Sequence, residues 1–187
     1  IKAVSFVGST KVAKIVYKRA TSNLKRCVAL GGAKNHLLVF PDANPEMTAS
    51  NVVASMSGCA GQRCMAASVM VGVDKVQHII DLMVKEAKSI VPGDNLGSVI
   101  SAEAKIRIEG YIAEAEKNGA KILLDGRNTT VKGKEGGFYV GPTIIDYVTT
   151  DMSVAREEIF GPVISIIRAK DLDEAIEIEN GSNYGNA

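Results

Sequence analysis

The sequence predicts an α/β layered fold. Short apolar or β-branched runs alternate with stretches of helical periodicity, and turns bearing glycine, proline or asparagine separate them. With 46% hydrophobic and 23% charged residues, the 187-residue chain has an ordinary globular composition. It can bury one good core, or one domain and a piece of another.

The elements follow in order. Residues 3–7 form a short strand stopped by Gly8-Ser9-Thr10, after which Val12, Ile15 and Val16 recur at helical spacing. Residues 26–30 and 36–40 read as strands separated by Gly31-Gly32. Asn44-Pro45 places a capping side chain before a proline at the first helical position, predicting a helix to about Gly58. Residues 68–73 form a β-branched strand, and Asp74 is expected to cap a helix reaching about Ile90. A long helix follows Ser101, carries Ile106, Ile108 and Ile112, and stops at Asn118-Gly119. Strands are expected over 121–124, 143–148 and 163–168, with a polar loop over 126–137. Asp171 and Glu174 resemble a capping box that opens a final helix.

Composition narrows the function classes. Twenty-two Lys and Arg against 21 Asp and Glu leave no electrostatic footprint for nucleic acid. No apolar run is long enough to span a bilayer, and no basic-then-apolar leader opens the sequence. Three cysteines without framework spacing favour a reducing compartment. His36 and His78 lie far from any CxxC pair, so no metal is expected. The first residue falls inside a strand, and Tyr184-Gly185-Asn186-Ala187 forms no terminal element. A piece of a longer protein, inactive by itself, is therefore expected.

Three places carry candidate chemistry. Cys64 ends Gly58-Cys59-Ala60-Gly61-Gln62-Arg63-Cys64, between a helix and a strand, where two glycines let backbone approach a ligand. A cation beside a thiol favours the thiolate, and Arg63 is such a neighbour. The alternative is that Cys59 and Cys64 are small buried residues, as Cys27 is expected to be. Gly8-Ser9-Thr10 opens a helix whose free N–H groups suit a phosphate, or it is a simple N-cap. Glu157-Glu158, beside the rigid Phe160-Gly161-Pro162, offers a carboxylate for a sugar hydroxyl or a base. A solvated turn fits the same pair.

Phe6-Val7-Gly8-Ser9-Thr10, Leu30-Gly31-Gly32, Gly61-Gln62-Arg63-Cys64 and Glu157-Glu158-Ile159-Phe160-Gly161-Pro162 together resemble four aldehyde dehydrogenase motifs, in that family's order. The resemblance implies an aldehyde dehydrogenase-like fold. Residues 1–29 would end a Rossmann-type NAD domain, and residues 30–187 would form an α/β catalytic domain. It implies that Cys64 attacks the aldehyde and that Gly8 and Ser9 meet the NAD pyrophosphate. Glu158 would bind the nicotinamide ribose, and Phe160 would pack near the nicotinamide.

One departure selects a subfamily. Hydrolytic members resemble Glu-Leu-Gly-Gly where this chain reads Ala29-Leu30-Gly31-Gly32, so the base that activates the deacylating water is missing at Ala29. Methylmalonate-semialdehyde dehydrogenases share that absence and pass the acyl group to coenzyme A. They are also similar at Gly32-Ala33-Lys34-Asn35-His36, at residues 61–65 and at Leu124-Asp125-Gly126-Arg127. The resemblance thus implies NAD and coenzyme A as cosubstrates, a small semialdehyde as substrate and a place in valine breakdown. It also implies a dimer or tetramer, in the bacterial cytoplasm by preference or the mitochondrial matrix. Arg63 fits the substrate, since a guanidinium beside the nucleophile can pair with a carboxylate, although a structural ion pair fits it equally. Two readings remain beside this one: a hydrolytic aldehyde dehydrogenase using Glu157, and a non-catalytic piece.

Overall fold

The computed structural model describes residues 1–186. The chain forms two compact units, one of Ile1–Ala33 and one from Lys34 onward. No helix among the described residues is long and apolar enough to cross a membrane.

The first unit is β1 (Ala3–Val7), α1 (Thr10–Thr21) and β2 (Arg26–Leu30), with the two strands parallel. Gly8 N–H extends the ladder to Leu30 O at 3.1 Å. Beyond β2, Gly32 N–H donates to Thr10 Oγ1 at 2.9 Å, tying the strand exit to the helix start. A side chain at Gly31 would meet that hydroxyl at 2.9 Å and Thr10 Cα at 3.1 Å, so close approach excludes a Cβ there. The expected boundary between 29 and 30 cuts through β2; these bonds carry the compact unit on to Ala33.

The second unit is a five-stranded sheet in the order β3-β4-β7-β6-β5. The strands are β3 (Asn35–Val39), β4 (Ala67–Val73), β5 (Lys121–Leu124), β6 (Thr143–Asp146) and β7 (Val163–Ala169). All pairs are parallel except β5 with β6. Its helices are α2 (Pro45–Ser57), α3 (Gln77–Ala87), α4 (Ala102–Lys117), the short α5 (Ser153–Arg156) and α6 (Leu172–Asn180).

Alternation along the central strands builds two cores. Met70, Ile164 and Ile166 meet Val53, Met56, Ile79, Ile80 and Met83 of α2 and α3. Val69, Val71 and Ile167 share the other core with Ile108 and Ile112 of α4 and Ala175 of α6. Strands buried on both faces read as continuous apolar runs, as parallel strands do.

Side-chain capping explains the starts of α2, α4 and α6. Asn44 Oδ1 accepts from Met47 N–H at 2.9 Å, and Ser101 Oγ accepts from Ala104 N–H at 3.2 Å. Asp171 Oδ1 accepts from Glu174 N–H at 2.9 Å, while the Glu174 carboxylate reaches Lys170 N–H instead of its own cap residue. Asp74 does not cap α3. It adopts a left-handed φ of 54° while its N–H bonds Ala169 O, and the helix begins at Gln77. The strand expected over 143–148 ends at Asp146, because Tyr147 turns left-handed.

One contact holds two turns together. A Cβ on Gly61 would lie 1.9 Å from Gly161 O and 2.8 Å from Pro162 N, so the two backbones touch directly. Behind them, a Cβ on Gly161 would lie 2.7–3.0 Å from the Ile108 side chain. Gly161→Ala should therefore cost about 1–3 kcal/mol through overpacking. Ile108→Ala alone should cost about 2–5 kcal/mol through its cavity. The double variant should cost clearly less than the sum, since the truncated side chain makes the room that a methyl group at position 161 needs. Gly61→Ala meets backbone and a left-handed φ of 69°, so Ile108→Ala should not relieve it. Urea unfolding of the four variants measures these couplings; strict additivity at 161 and 108 would show that the packing is loose.

Candidate functional site

Cys64 follows a backbone turn of unusual conformation. Cys59, Ala60 and Gly61 have φ of 54°, 53° and 69°, three successive left-handed residues of which one is glycine. Non-glycine residues there carry strain of about 1–2 kcal/mol each. The turn swings the chain out of the C-terminus of α2 and onto Gly161-Pro162. Cys59 and Cys64 both emerge exposed, so neither is the small buried cysteine that composition alone allows; Cys27 is half-buried in β2.

The main chain around Cys64 is pinned by amides. Asn35 Nδ2 donates to Cys64 O and to Ala66 O, both at 2.8 Å, and Asn186 Nδ2 donates to Cys64 O at 3.0 Å. Asn35 is itself fixed: its N–H donates to Ser68 Oγ, and the same hydroxyl donates to Asn35 O. Gln62 Oε1 accepts from Ile100 N–H at 2.9 Å, while its Nε2 donates to Cys59 O at 3.1 Å. Sequence reasoning gave Asn35 and Gln62 no role. An amide between a Gly-Gly turn and a strand, and another inside a glycine-rich turn, were the available signals.

Arg63 lies against the end of α2. Its Nη2 donates to Ser55 O at 2.7 Å, and at 3.4 Å to Ala54 O, which also accepts from Gly58 N–H at the end of the helix. Gly58 makes this possible, since a Cβ there would lie 2.4 Å from Nη2. Nε and Nη1 have no hydrogen-bond partner in the protein among the described residues. The guanidinium is thus positioned by two carbonyls with donors left over, and no acidic side chain pairs with it among the described residues.

The facing loop carries the carboxylates. Glu157 is exposed and Glu158 half-buried, Ile159 is buried, and Phe160 presents a 39% exposed ring from a left-handed φ of 54°. A bulky residue at positive φ is uncommon, and such outliers gather at functional sites. Helix α4 braces the loop from behind through Ile108 beneath Gly161 and an Arg107 Nη2 bond to Ile159 O at 3.4 Å. Burial raises the Tyr111 phenol, with the Glu157 charge adding to it.

Lys34 is the residue that the sequence reading missed. It is only 2% exposed, and its ammonium has no hydrogen-bond partner. Burial lowers its pKa to about 7, against the opposing pull of Glu158 and then Glu157. The structure thus brings Cys64, Arg63, Glu158 and Phe160 onto two turns in backbone contact. Gly8 and Ser9 belong to the first unit: Ser9 occupies the N-cap position of α1, yet its side chain makes no capping bond. A cleft of about 560 Å³ lined by His36, Arg156, Arg168, Glu174 and Ile178 contains none of these candidates. Arg168 there is committed to Asp146, at 2.6 Å, so chemistry is better placed at the two turns.

The aldehyde dehydrogenase family model matches residues 1–187. The chain is 47% identical to malonate-semialdehyde dehydrogenase 2 of Bacillus thuringiensis (strain Al Hakam), with all of this chain and 39% of that protein covered. It is 46% identical to the acylating, mitochondrial methylmalonate-semialdehyde/malonate-semialdehyde dehydrogenase of Homo sapiens, covering all of this chain and 36% of that one. The methylmalonate-semialdehyde dehydrogenase of Oceanimonas doudoroffii superposes with a TM-score of 0.96 at 40% identity, over all of this chain and 40% of its own. An enzyme of Sinorhizobium meliloti 1021, described as a methylmalonate-semialdehyde dehydrogenase and solved with NAD, gives 0.96 at 41% identity over the same shares. The chain therefore spans about two fifths of the length of these relatives, and along all of it the chain belongs to the aldehyde dehydrogenase family.

Proposed function

We propose that this chain supplies the nucleophile and part of the cofactor site of an NAD-dependent, coenzyme A-acylating oxidation of methylmalonate semialdehyde or malonate semialdehyde. The observation that carries the reading is an exposed Cys64 whose main chain is fixed by Asn35 and whose turn rests on the Glu158–Phe160 loop. The names of the relatives, at 46–47% identity, support the substrate class and the acylating outcome.

Cys64 Sγ adds to the aldehyde carbon, forming an S–C bond as the carbonyl electrons move onto oxygen. The backbone N–H of Cys64 is a candidate donor to that oxyanion. NAD, when bound, accepts the hydride that leaves carbon as the oxyanion collapses to a thioester. The α1 N-terminus suits a pyrophosphate, with free N–H groups that Ser9 does not cap. In this reading Gly8 and Ser9 meet the pyrophosphate, Glu158 accepts from the ribose hydroxyls, and Phe160 lies against the nicotinamide. Arg63 pairs through its free donors with the substrate carboxylate. The bond from the α-carbon to that group then breaks and carbon dioxide leaves; the electron pair, held as the thioester enolate, takes a proton from water at the α-carbon. The coenzyme A thiol then takes the propionyl or acetyl group and releases the Cys64 thiolate. The reading includes a homo-oligomer and a reducing compartment, cytoplasmic or, as in the relatives named mitochondrial, the matrix.

A hydrolytic enzyme is the second reading, with the exposed Glu157 as its base. Ala29 argues against it, because neither Ala29 nor Leu30 can accept a proton from water.

Three outcomes test these assignments in the intact protein that carries this chain. Mass spectrometry after aldehyde plus NAD should find the acyl adduct on Cys64; Cys64→Ala should abolish it, and Cys59→Ala and Cys27→Ala should leave it measurable. An adduct on Cys59 would move the nucleophile. Arg63→Leu should lower kcat/KM for a semialdehyde acid roughly ten- to a hundred-fold more than for propanal, as loss of a charge-assisted hydrogen bond implies. Equal losses would confine Arg63 to capping α2. Finally, NADH should appear as a burst followed by slow turnover until coenzyme A is added, since general-base help is worth about 10²–10⁴-fold. Ala29→Glu should raise turnover without coenzyme A. Equal rates with and without coenzyme A would leave a dehydrogenase but not an acylating one.

A further inference from the structure

Three segments of the chain meet at the carbonyl of Cys64. Residues 63–66 form a turn closed by Ala66 N–H on Arg63 O at 3.1 Å. Asn35, the first residue of β3, lays its side chain against this turn. Its Nδ2 donates at 2.8 Å to Cys64 O, inside the turn, and at 2.8 Å to Ala66 O, at its end. A second amide, Asn186 Nδ2 from the segment after α6, donates to the same Cys64 O at 3.0 Å. Two side chains from distant parts of the chain thus engage one carbonyl oxygen, whose two lone pairs they can fill.

The restraint reaches the thiol through few degrees of freedom. The Arg63–Cys64 peptide plane is held at Arg63 O, and the Cys64–Met65 plane at Cys64 O. A peptide unit is rigid, so holding both planes fixes φ and ψ of Cys64. Only rotation about Cα–Cβ then remains to place Sγ. The Cys64 N–H lies in the first of these planes, so the candidate oxyanion donor and the thiol share one frame.

Asn35 is firmly anchored for this task. Ser68 Oγ accepts from its N–H at 2.9 Å and donates to its O at 3.1 Å. The residue is 6% exposed, and its Oδ1 is buried without a partner among the described residues. An unpaired buried acceptor costs stability, so what this amide contributes is its two donors. Asn186, in contrast, is exposed.

We propose that Asn35 and Asn186 are positioning residues for the nucleophile: together they fix the Cys64 carbonyl, and through it the direction from which Sγ meets the aldehyde. The proposal rests on the reading of Cys64 as the nucleophile. Its effect falls on one step. Attack on a bound carbonyl needs a near-attack geometry, and misplacement by about 1 Å costs on the order of 100-fold. A small alkylating reagent, free in solution, approaches from any side and has no such requirement.

The test is a single turnover of the intact enzyme. With saturating aldehyde and NAD and no coenzyme A, the NADH burst reports attack by Cys64 and the hydride transfer that follows. Asn35→Leu, close in shape but without donors, should slow the burst about ten- to a hundred-fold. Asn186→Ala removes one donor at an exposed position and should slow it about two- to tenfold. It decides the matter by itself should the position-35 variant fail to fold. In both variants the Kd for NAD should match the parent's, as should the rate at which iodoacetamide alkylates Cys64, followed by peptide mass. Asn44→Ala, which removes the α2 cap, should lower stability and keep the parent's burst. A burst slowed equally by Asn44→Ala, or NAD affinity and alkylation that change in step with the burst, would reveal general loosening and overturn the proposal. Cys64→Ala separates the two ideas. If it abolishes the burst while both asparagine variants keep the parent's rate, the clamp falls and the nucleophile stands. If it leaves the burst intact, the nucleophile lies elsewhere and the proposal falls with it.

Discussion

The contact between Gly61 and Gly161 is the constraint on which the site depends. No side chain fits between the two backbones, and the distance from a Cβ at 61 to the Gly161 oxygen would be 1.9 Å. To reach that contact the chain accepts two left-handed non-glycine residues on one side, Cys59 and Ala60, and a left-handed Phe160 on the other. Such strain persists only where the surroundings over-determine it. Here the surroundings are identifiable: Gln62 bound to Ile100, Arg63 bound to Ser55, and Arg107 bound to Ile159. The Cys64 turn and the Glu158–Phe160 loop are thereby held in a single rigid relation, which the proposed chemistry would need.

Helix α4 gives that relation its foundation. Ile108 is fully buried in the core beneath the sheet and also fills the space under Gly161. The same residue thus serves stability and site geometry. That is why a change at 108 is expected to act on both, and why a rigid element lies behind a loop that would otherwise be mobile. The ion pair of buried Asp146 with half-buried Arg168, at 2.6 Å, ties β6 to β7.

The fold was largely legible in the sequence because its signals are local. Asn44-Pro45, Ser101 and the Asp171–Glu174 pair start helices through side chains that bond the next turn's N–H groups. The failures lie where local signals give out. Asp74 has a capping side chain but a left-handed backbone imposed by its bond to Ala169, which is 95 positions away in the chain and invisible to any window. α5 has four residues, too few to show a period. Cys64, Glu158 and Phe160 were legible as candidates because motifs mark them. Lys34 was not, since lysine is ordinarily solvated and nothing in its spacing announces burial. Ala60 was equally silent, because a left-handed alanine is dictated by tertiary contact alone.

An acylating rather than hydrolytic fate depends on water being a poor acceptor, and two features of the chain bear on this. At residue 29 the sequence places a methyl group, so β2 offers no proton acceptor at that position. Glu157 and Glu158 are the remaining carboxylates beside the nucleophile's turn, and both act on the Lys34 charge. A thiol needs less assistance than water, because its own proton is lost far more readily near neutral pH. The acyl group on Cys64 is then expected to wait for an acceptor that brings its own acidity.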